Sequence, residues 1–138
     1  MTEKQMAQAQ TTPQATPEKR LILEMGSGND LYGMDYTKAA CRAVQDALHH
    51  SSIVLFKSLG YDHRDMRVQV TIGVQEPDKL DTAVVAAELP RGRAEVRAVF
   101  GGLNVHDAEN QTTHVIATAA VEAFLPIDAA QWRLSNQA

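Results

Sequence analysis

Apolar and polar side chains alternate strictly along residues 66–74. The apolar set is Val68, Val70 and Ile72, and the polar set between them is Arg67, Gln69 and Thr71. A period of two residues is that of a β-strand with one buried face. This segment therefore predicts a half-buried strand, and the other elements are placed around it.

Three further segments have strand patterns. Residues 21–25 are a short apolar run that is predicted to end at Gly26, because glycine tolerates backbone angles that stop a strand. Residues 94–100 alternate until Gly101 and Gly102 interrupt them, which is typical of a bulge. Residues 113–125 are compatible with a strand or a helix, and their period of two favours a strand.

Two segments have helical spacing. The first is rich in alanine, begins near Thr37 with Asp35 or Thr37 as its cap, and is expected to lie close against a sheet. The second covers residues 79–88, with Asp78 as the cap and Pro90 as the stop. Residues 53–59 are predicted to form a short helix or a turn.

The predicted order is β-α-β-α-β-β. It indicates an α+β two-layer sandwich, with a single sheet of about four strands and two helices on one face. The other face of such a sheet is open, so we expect a homo-oligomer. Residues 1–19 are predicted to be a disordered tail, residues 20–126 one α+β domain, and residues 127–138 a C-terminal tail.

Charge and composition exclude several classes of protein. The net charge of -4 argues against a nucleic-acid binder, which needs a basic face. No apolar run is long enough to span a membrane, and no secretory signal is visible. Cys41 is the only cysteine, which excludes an intramolecular disulfide. A cytoplasmic location is expected.

Residues 24–38, EMGSGNDLYGMDYTK, are predicted to carry the end of a strand, an irregular loop at residues 26–36 and a helix N-terminus, a layout used for ligand sites. They match neither a dinucleotide fingerprint nor a Walker loop. The candidate ligand-binding residues are Gly26, Ser27, Gly28, Tyr32, Gly33 and Asp35, and the candidate catalytic residues are Asp30, Lys38 and Arg42. The alternative is a tight turn in which Asp30 and Asn29 bond their own backbone.

The pattern Gly26-x-Gly28-x-Asp30-x-Tyr32-Gly33 resembles the signature G-x-G-x-D-x-H-G of a family of conserved hypothetical proteins named after a Listeria locus. That family has no established activity, so the resemblance implies no reaction. Tyr32 stands where the family has histidine. An Asp-x-His pair is similar to the metal loop of methylerythritol cyclodiphosphate synthase, but tyrosine is a poor metal ligand at neutral pH.

A divalent metal site would therefore need Asp30 with His106 or His114, and these two histidines have no diagnostic spacing. The helix opening also resembles one repeat unit of the ring-opening amidohydrolases, which use Ser–Lys pairs and arginines. That resemblance would pair Ser27 with Lys38. The alternative is that the cations on this helix are solvated.

Pro90-Arg91-Gly92-Arg93 places two cations on a turn, where they would bind a small anionic ligand or be solvated. In an oligomer, Arg91, Arg93 or His114 of a neighbouring subunit would complete the site. One functional hypothesis is an enzyme or small-ligand-binding protein for hydrolysis or proton transfer on a small polar cyclic or carbonyl compound. The alternative is a non-catalytic oligomeric domain or accessory subunit with a structural glycine loop.

Overall fold

A computed structural model describes residues 16–50, 60–128 and 130. Its strands and helices are β1 (Glu18–Asp30), α1 (Tyr36–Leu48), β2 (Arg67–Val74), α2 (Thr82–Ala86), β3 (Arg93–Phe100), β4 (Leu103–Asp107) and β5 (Thr112–Pro126). Short 3₁₀ turns cover His63–Asp65 and Pro77–Lys79. The predictions for residues 1–15, 53–59 and 131–138 lie outside the described residues.

The strands form a single sheet, as predicted, with five strands instead of about four. The sheet is mixed. Their order is β1-β5-β2-β3, and β4 pairs with β5. Strand β5 is antiparallel to β1, β2 and β4, whereas β2 and β3 are parallel and are joined through α2. The strand prediction for residues 113–125 is confirmed.

The additional strand is β4, which sequence analysis did not predict. The chain leaves β3 at Gly101 and turns at Gly102, whose φ is +60°. It then pairs with the edge of β5 that faces away from β1. Gly73 of β2 faces Thr118 and Leu103 of β4 faces Ile116, so β4 continues along β5 where β2 ends. Gly101 and Gly102 thus mark a change of strand partner, where a bulge was expected.

Strand β1 is the largest correction to the sequence analysis. It begins at Glu18, before the expected start at Arg20, and continues through the predicted loop as far as Asp30. All residues from Ile22 to Asp30 have partners on β5. The glycines suggested a break, but a paired neighbouring strand keeps them extended.

The helices occupy one face of the sheet, as predicted. Helix α1 begins one residue after its cap Asp35, and its buried side is mostly alanine. Helix α2 is shorter than the predicted 79–88 segment and is capped by Asp81 instead of Asp78, because residues 77–79 form a 3₁₀ turn. Among the described residues, no helix is both long and apolar enough to cross a membrane.

The core lies between this helix layer and the sheet. Strand β5 contributes its odd-numbered side chains from Val115 to Leu125, all of which are buried. We call the opposite side the open face: it carries the odd-numbered side chains of β1 from Leu23 to Asn29, the even-numbered side chains of β5 from His114 to Phe124, and the residues of β2, β3 and β4 in register with them.

Candidate functional site

Asp30 is the buried charged residue at the end of β1, with only 6% of its surface exposed. Asp30 is one of the even-numbered positions of β1, whose side chains face α1. Its Oδ2 accepts a hydrogen bond of 2.9 Å from the backbone N–H of Asp35. A Cβ at Gly33 would lie 2.9 Å from the same oxygen, so a side chain there would displace the carboxylate. The Asp30 carboxylate therefore holds the turn between β1 and α1.

Two cations from α1 flank this carboxylate. The Nζ of Lys38 and the Nη1 of Arg42 each lie 3.9 Å from Oδ1 of Asp30. The two residues are four positions apart, so one side of the helix presents both. Their side chains are 54% and 50% exposed, and Arg42 also donates a 2.7 Å hydrogen bond to the carbonyl of Asn29. Because a lysine has three donors and an arginine five, donors remain for a ligand.

Asp35 caps α1, as one of the two sequence alternatives predicted. Its Oδ1 accepts a 3.0 Å hydrogen bond from the backbone N–H of Lys38. Thr37, the other predicted cap, lies inside the helix, where its hydroxyl accepts from the N–H of Asp81 at 3.0 Å. Asp35 thus orients the first turn, from which Lys38 reaches Asp30.

Gly26 and Gly28 lie on a strand beneath α1, and the prediction that they form a loop is wrong. A Cβ at Gly26 would lie 2.5 Å from both the carbonyl oxygen of Ala43 and the backbone nitrogen of Ala47. A Cβ at Gly28 would collide with the backbone of Ala39 and Ala43. These glycines let the alanine-rich helix approach the strand closely, which accounts for their presence without a ligand.

Ser27 and Lys38 lie on opposite sides of the sheet. Ser27 belongs to the open face, and its backbone N–H donates to Oδ2 of Asp46 at 2.9 Å. Lys38 is on the helical side beside Asp30. One chain therefore does not form the Ser–Lys pair that the resemblance to the amidohydrolases implied.

The residues proposed for a metal site have other partners. The Nδ1 of His114 donates to the carbonyl of Leu31 at 2.7 Å, and its Nε2 lies 3.9 Å from Oδ2 of Asp107. Tyr32 packs edge-on against the His114 ring, with the centroids 6.2 Å apart. His106 contacts the hydroxyl of Thr113. In residues 16–50, 60–128 and 130, no three His, Cys, Asp or Glu side chains are grouped so that they would hold a metal ion.

Arg91 and Arg93 lie at the far end of the sheet from Asp30. Arg93 pairs with Arg67, which pairs with Phe124, whereas Asp30 pairs with Val115. The separation along β5 is nine residues, or about 30 Å. The two arginines line a surface depression with His63 and Arg64, so they do not complete the Asp30 site of their own chain.

Sequence analysis missed a hydrogen-bonded network beside the site. The Tyr36 hydroxyl donates to Glu76 at 2.8 Å and accepts from the side-chain amide of Asn104 at 2.7 Å. Lys79 adds an ion pair of 3.1 Å with Glu76. Burial raises the pKa of Tyr36, and the hydrogen bond from Tyr36 lowers the pKa of Glu76, with Lys79 as the next cause.

This network joins α1 to β4 and to the turn after β2. Glu76 and Asn104 are 40 and 68 positions away from Tyr36, so no local spacing could have revealed the network. The signal that was available is the position of Tyr36 directly after the cap of α1, where a buried hydroxyl needs partners.

Comparison with known proteins gives a family and a fold without an activity. A model described as "Conserved hypothetical protein (Lin0512_fam)" matches residues 20–123. An FtsZ-like protein of unknown function from Nostoc punctiforme PCC 73102 is 32% identical, with a TM-score of 0.72 over 81% of this chain and 99% of that chain. No curated protein gives a significant match. The chain belongs to the conserved hypothetical protein family Lin0512_fam.

Proposed function

We propose that this chain is a small cytoplasmic protein that binds a small polar cyclic or carbonyl compound and acts on it by hydrolysis or proton transfer. The observation that carries the proposal is the arrangement of Asp30, Lys38 and Arg42: one buried carboxylate lies between two half-exposed cations at equal distances of 3.9 Å. The carboxylate fixes the two cations, while their outer sides remain accessible to a ligand.

The charge of this cluster favours an oxygen-rich ligand. Two cations facing one carboxylate leave one positive charge in excess. Lys38 also lies in the first turn of α1, where the helix dipole is positive, whereas Arg42 lies at the middle of the helix. Charge-assisted hydrogen bonds from ammonium and guanidinium groups are strong for carbonyl and carboxylate oxygens. The same donors would stabilise negative charge that develops on a carbonyl oxygen during a reaction.

The three residues would have different roles. Lys38 and Arg42 would contact the ligand oxygen, and Lys38 is the one of the two that can exchange a proton, because a guanidinium is not deprotonated in proteins. Asp30 would position both cations and the turn at Asp35. Gly26, Gly28 and Gly33 would support this geometry without touching the ligand.

The test is native mass spectrometry of the full chain, purified without chelator, followed by thermal-shift titration with a panel of small cyclic amides, imides and carboxylic acids. We expect a bound adduct or a stabilising compound. Because hydrogen bonds to charged groups contribute about 1.5–3 kcal/mol, Lys38→Ala or Arg42→Ala should weaken binding by about tenfold or more.

Arg64→Ala is the matched control. Arg64 is an exposed arginine paired with its neighbour Asp62, far along the chain from this cluster. Arg64→Ala removes one positive charge, as the other two variants do, and should leave the affinity for the ligand unchanged. If all three variants bound the ligand as tightly as the wild type, the site would be refuted. If all three were weakened equally, the cause would be a general effect of net charge.

The second candidate is a non-catalytic oligomeric domain or accessory subunit with structural glycines. The close contact of Gly26 and Gly28 with the backbone of α1 favours it, since the glycines then have a purely structural reason. If this candidate is correct, the native spectrum will show no adduct and no compound in the panel will stabilise the chain. The variants will then give the same thermal-shift titration as the wild type. A stoichiometric divalent metal detected in the native spectrum would support a ligand site, as in the first candidate, and would contradict the second.

A further inference from the structure

The open face of the sheet has no covering layer among the described residues. Its large apolar side chains are exposed: Met25 is 68% exposed, Leu103 58% and Val105 46%. Leu103 faces Ile116, and Val105 faces His114, so this apolar surface continues across β4 and β5. Exposed apolar surface of this kind indicates an interaction site.

We propose that a second copy of this chain packs on the open face, with its strands running in the reversed direction. The inference is independent of any ligand at Asp30. It rests on the distribution of charge along the face, on its apolar content and on its area.

The two ends of the face differ in charge. Arg93 and Arg97 lie on β3 in one half of the face, with Glu95 between them, and neither arginine forms an ion pair with a carboxylate of the described residues. These three side chains leave one positive charge in excess. Asp107 and the turn residue Glu109 lie at the other end. A parallel arrangement would place like charges together, whereas a reversed copy brings Arg93 of each chain to the end where Asp107 and Glu109 of the other lie.

The middle of the face suits close contact. Its central row consists of Ser27, Thr118 and Gly73, which are small, and Met25 and Val99 border it. Reversal about this row places the row of Met25 and Ala120 over that of Ile116 and Leu103. Apolar groups then meet apolar groups except at Arg97, which lies in the row of Ala120 on the outer strand β3, and no bulky side chain at the centre separates the two sheets.

The area is sufficient for a stable contact. From Phe124 to Thr112 the face extends about 40 Å along β5. Its five strands are four abreast, because β4 is in line with β2, which gives a width of about 15–19 Å. The product is about 600–750 Å² before side-chain relief is added. A standard interface buries about 800 Å² on each partner.

The experiment is size-exclusion chromatography with light scattering on the full chain across a dilution series. We expect the wild type to be at least dimeric and Val105→Glu to raise the dissociation constant by tenfold or more. Val84→Glu is the matched control, because Val84 is 47% exposed but lies on α2, on the other side of the sheet. This variant should keep the mass of the wild type.

Met25→Glu repeats the test on β1, and circular dichroism reports whether each variant is folded. Charge reversal tests the direction: Arg93→Glu should weaken association, and adding Glu109→Arg should restore it. The proposal would be overturned if the wild type were monomeric. It would also be overturned if Val84→Glu weakened association as much as the folded open-face variants do, or if Glu109→Arg failed to restore association in Arg93→Glu. A monomer would instead mean that another segment or another protein covers the face.

Discussion

Gly28 shows how one missing Cβ controls the contact between two elements. Its position on β1 lies against the backbone of Ala39 and Ala43, atoms that cannot move without moving the helix. We expect Gly28→Ala to reduce the free energy of unfolding by about 1–3 kcal/mol, as overpacking of a well-packed contact does. Urea unfolding followed by circular dichroism measures the change.

Ser27→Ala is the control for this substitution, because Ser27 is the neighbour on the open face and already has a Cβ. Its side chain can be shortened while its backbone N–H keeps the bond to Asp46. We expect a change within about 0.5 kcal/mol, as for an ordinary surface position. If Gly28→Ala were equally mild, the close approach would not be what requires glycine.

At the scale of elements, sequence patterns predicted what depends on neighbours in the chain. The alternation in β2, the alanine stripe of α1 and its cap Asp35 all follow from local spacing, and the structure confirms them. The end of β1 was misread because Gly26 is ambiguous: glycine stops a strand in a loop and permits close packing in a sheet. The pairing with β5 that decides between these meanings is a long-range contact.

The candidate site at Asp30 was likewise predictable only where it depends on residues that are neighbours in the chain. Asp30, Lys38 and Arg42 come together as expected, because they lie on a strand end and a helix start that follow each other in the chain. The distance of Arg93 from Asp30 depends on strand order, which no local pattern encodes. Helix α2 begins late because Asp81 is the better placed cap, with two backbone N–H groups bonded to its carboxylate.

The link between α1 and β4 gives a prediction on pH. The hydrogen bond from Tyr36 lowers the pKa of Glu76, so ionised Glu76 stabilises the fold above its ordinary pKa of 4.5, and this stabilisation is lost as the pH falls through the lowered folded-state value. Tyr36→Phe removes the main cause. The loss of stability between pH 6 and pH 3 should therefore be smaller in this variant than in the wild type.

Urea unfolding at both pH values measures this difference. Asp62, with a pKa lowered to about 2, and Asp107, whose pKa is also lowered, add to the pH dependence of stability, but they are the same in both proteins and cancel. Tyr32→Phe is the control, because Tyr32 is exposed and Phe retains the ring that contacts His114. If both variants had the pH dependence of the wild type, the Tyr36 bond would not stabilise ionised Glu76.

At the scale of the whole molecule, the sheet separates two groups of cations. Lys38 and Arg42 lie beside Asp30, and Arg91 and Arg93 lie about 30 Å away along the strands. A single chain cannot bring them together. The reversed packing proposed for the open face would carry Arg93 of the second copy to the end of the sheet where Asp30 lies, but on the opposite side of the sheet. This packing would not join Arg93 to the Asp30 cluster, so a site shared between subunits stays a sequence-based prediction.

Cross-linking tests that reversed packing directly. Thr71 and Leu103 lie on one line beside β5, opposite Ala120 and Ile116, so they are about 14 Å apart within a chain. Reversal about the row of Thr118 places Thr71 of one copy over Leu103 of the other. Facing sheets are about 10 Å apart, which exceeds the span of a disulfide but suits a short bismaleimide.

The variant Thr71→Cys with Leu103→Cys, in a Cys41→Ser background, should therefore give a covalent dimer on a denaturing gel. Burial raises the pKa of Cys41, but its replacement removes any competing thiol. The matched control is Thr71→Cys with Val84→Cys, since Val84 lies on the helical side, and this variant should give no covalent dimer.

Each single-cysteine variant should give little covalent dimer, because reversal separates the equivalent positions of the two copies. Dimers from Thr71→Cys alone, at the yield of the double variant, would mean that the two copies run in the same direction, and the charge argument for the open face would then fail.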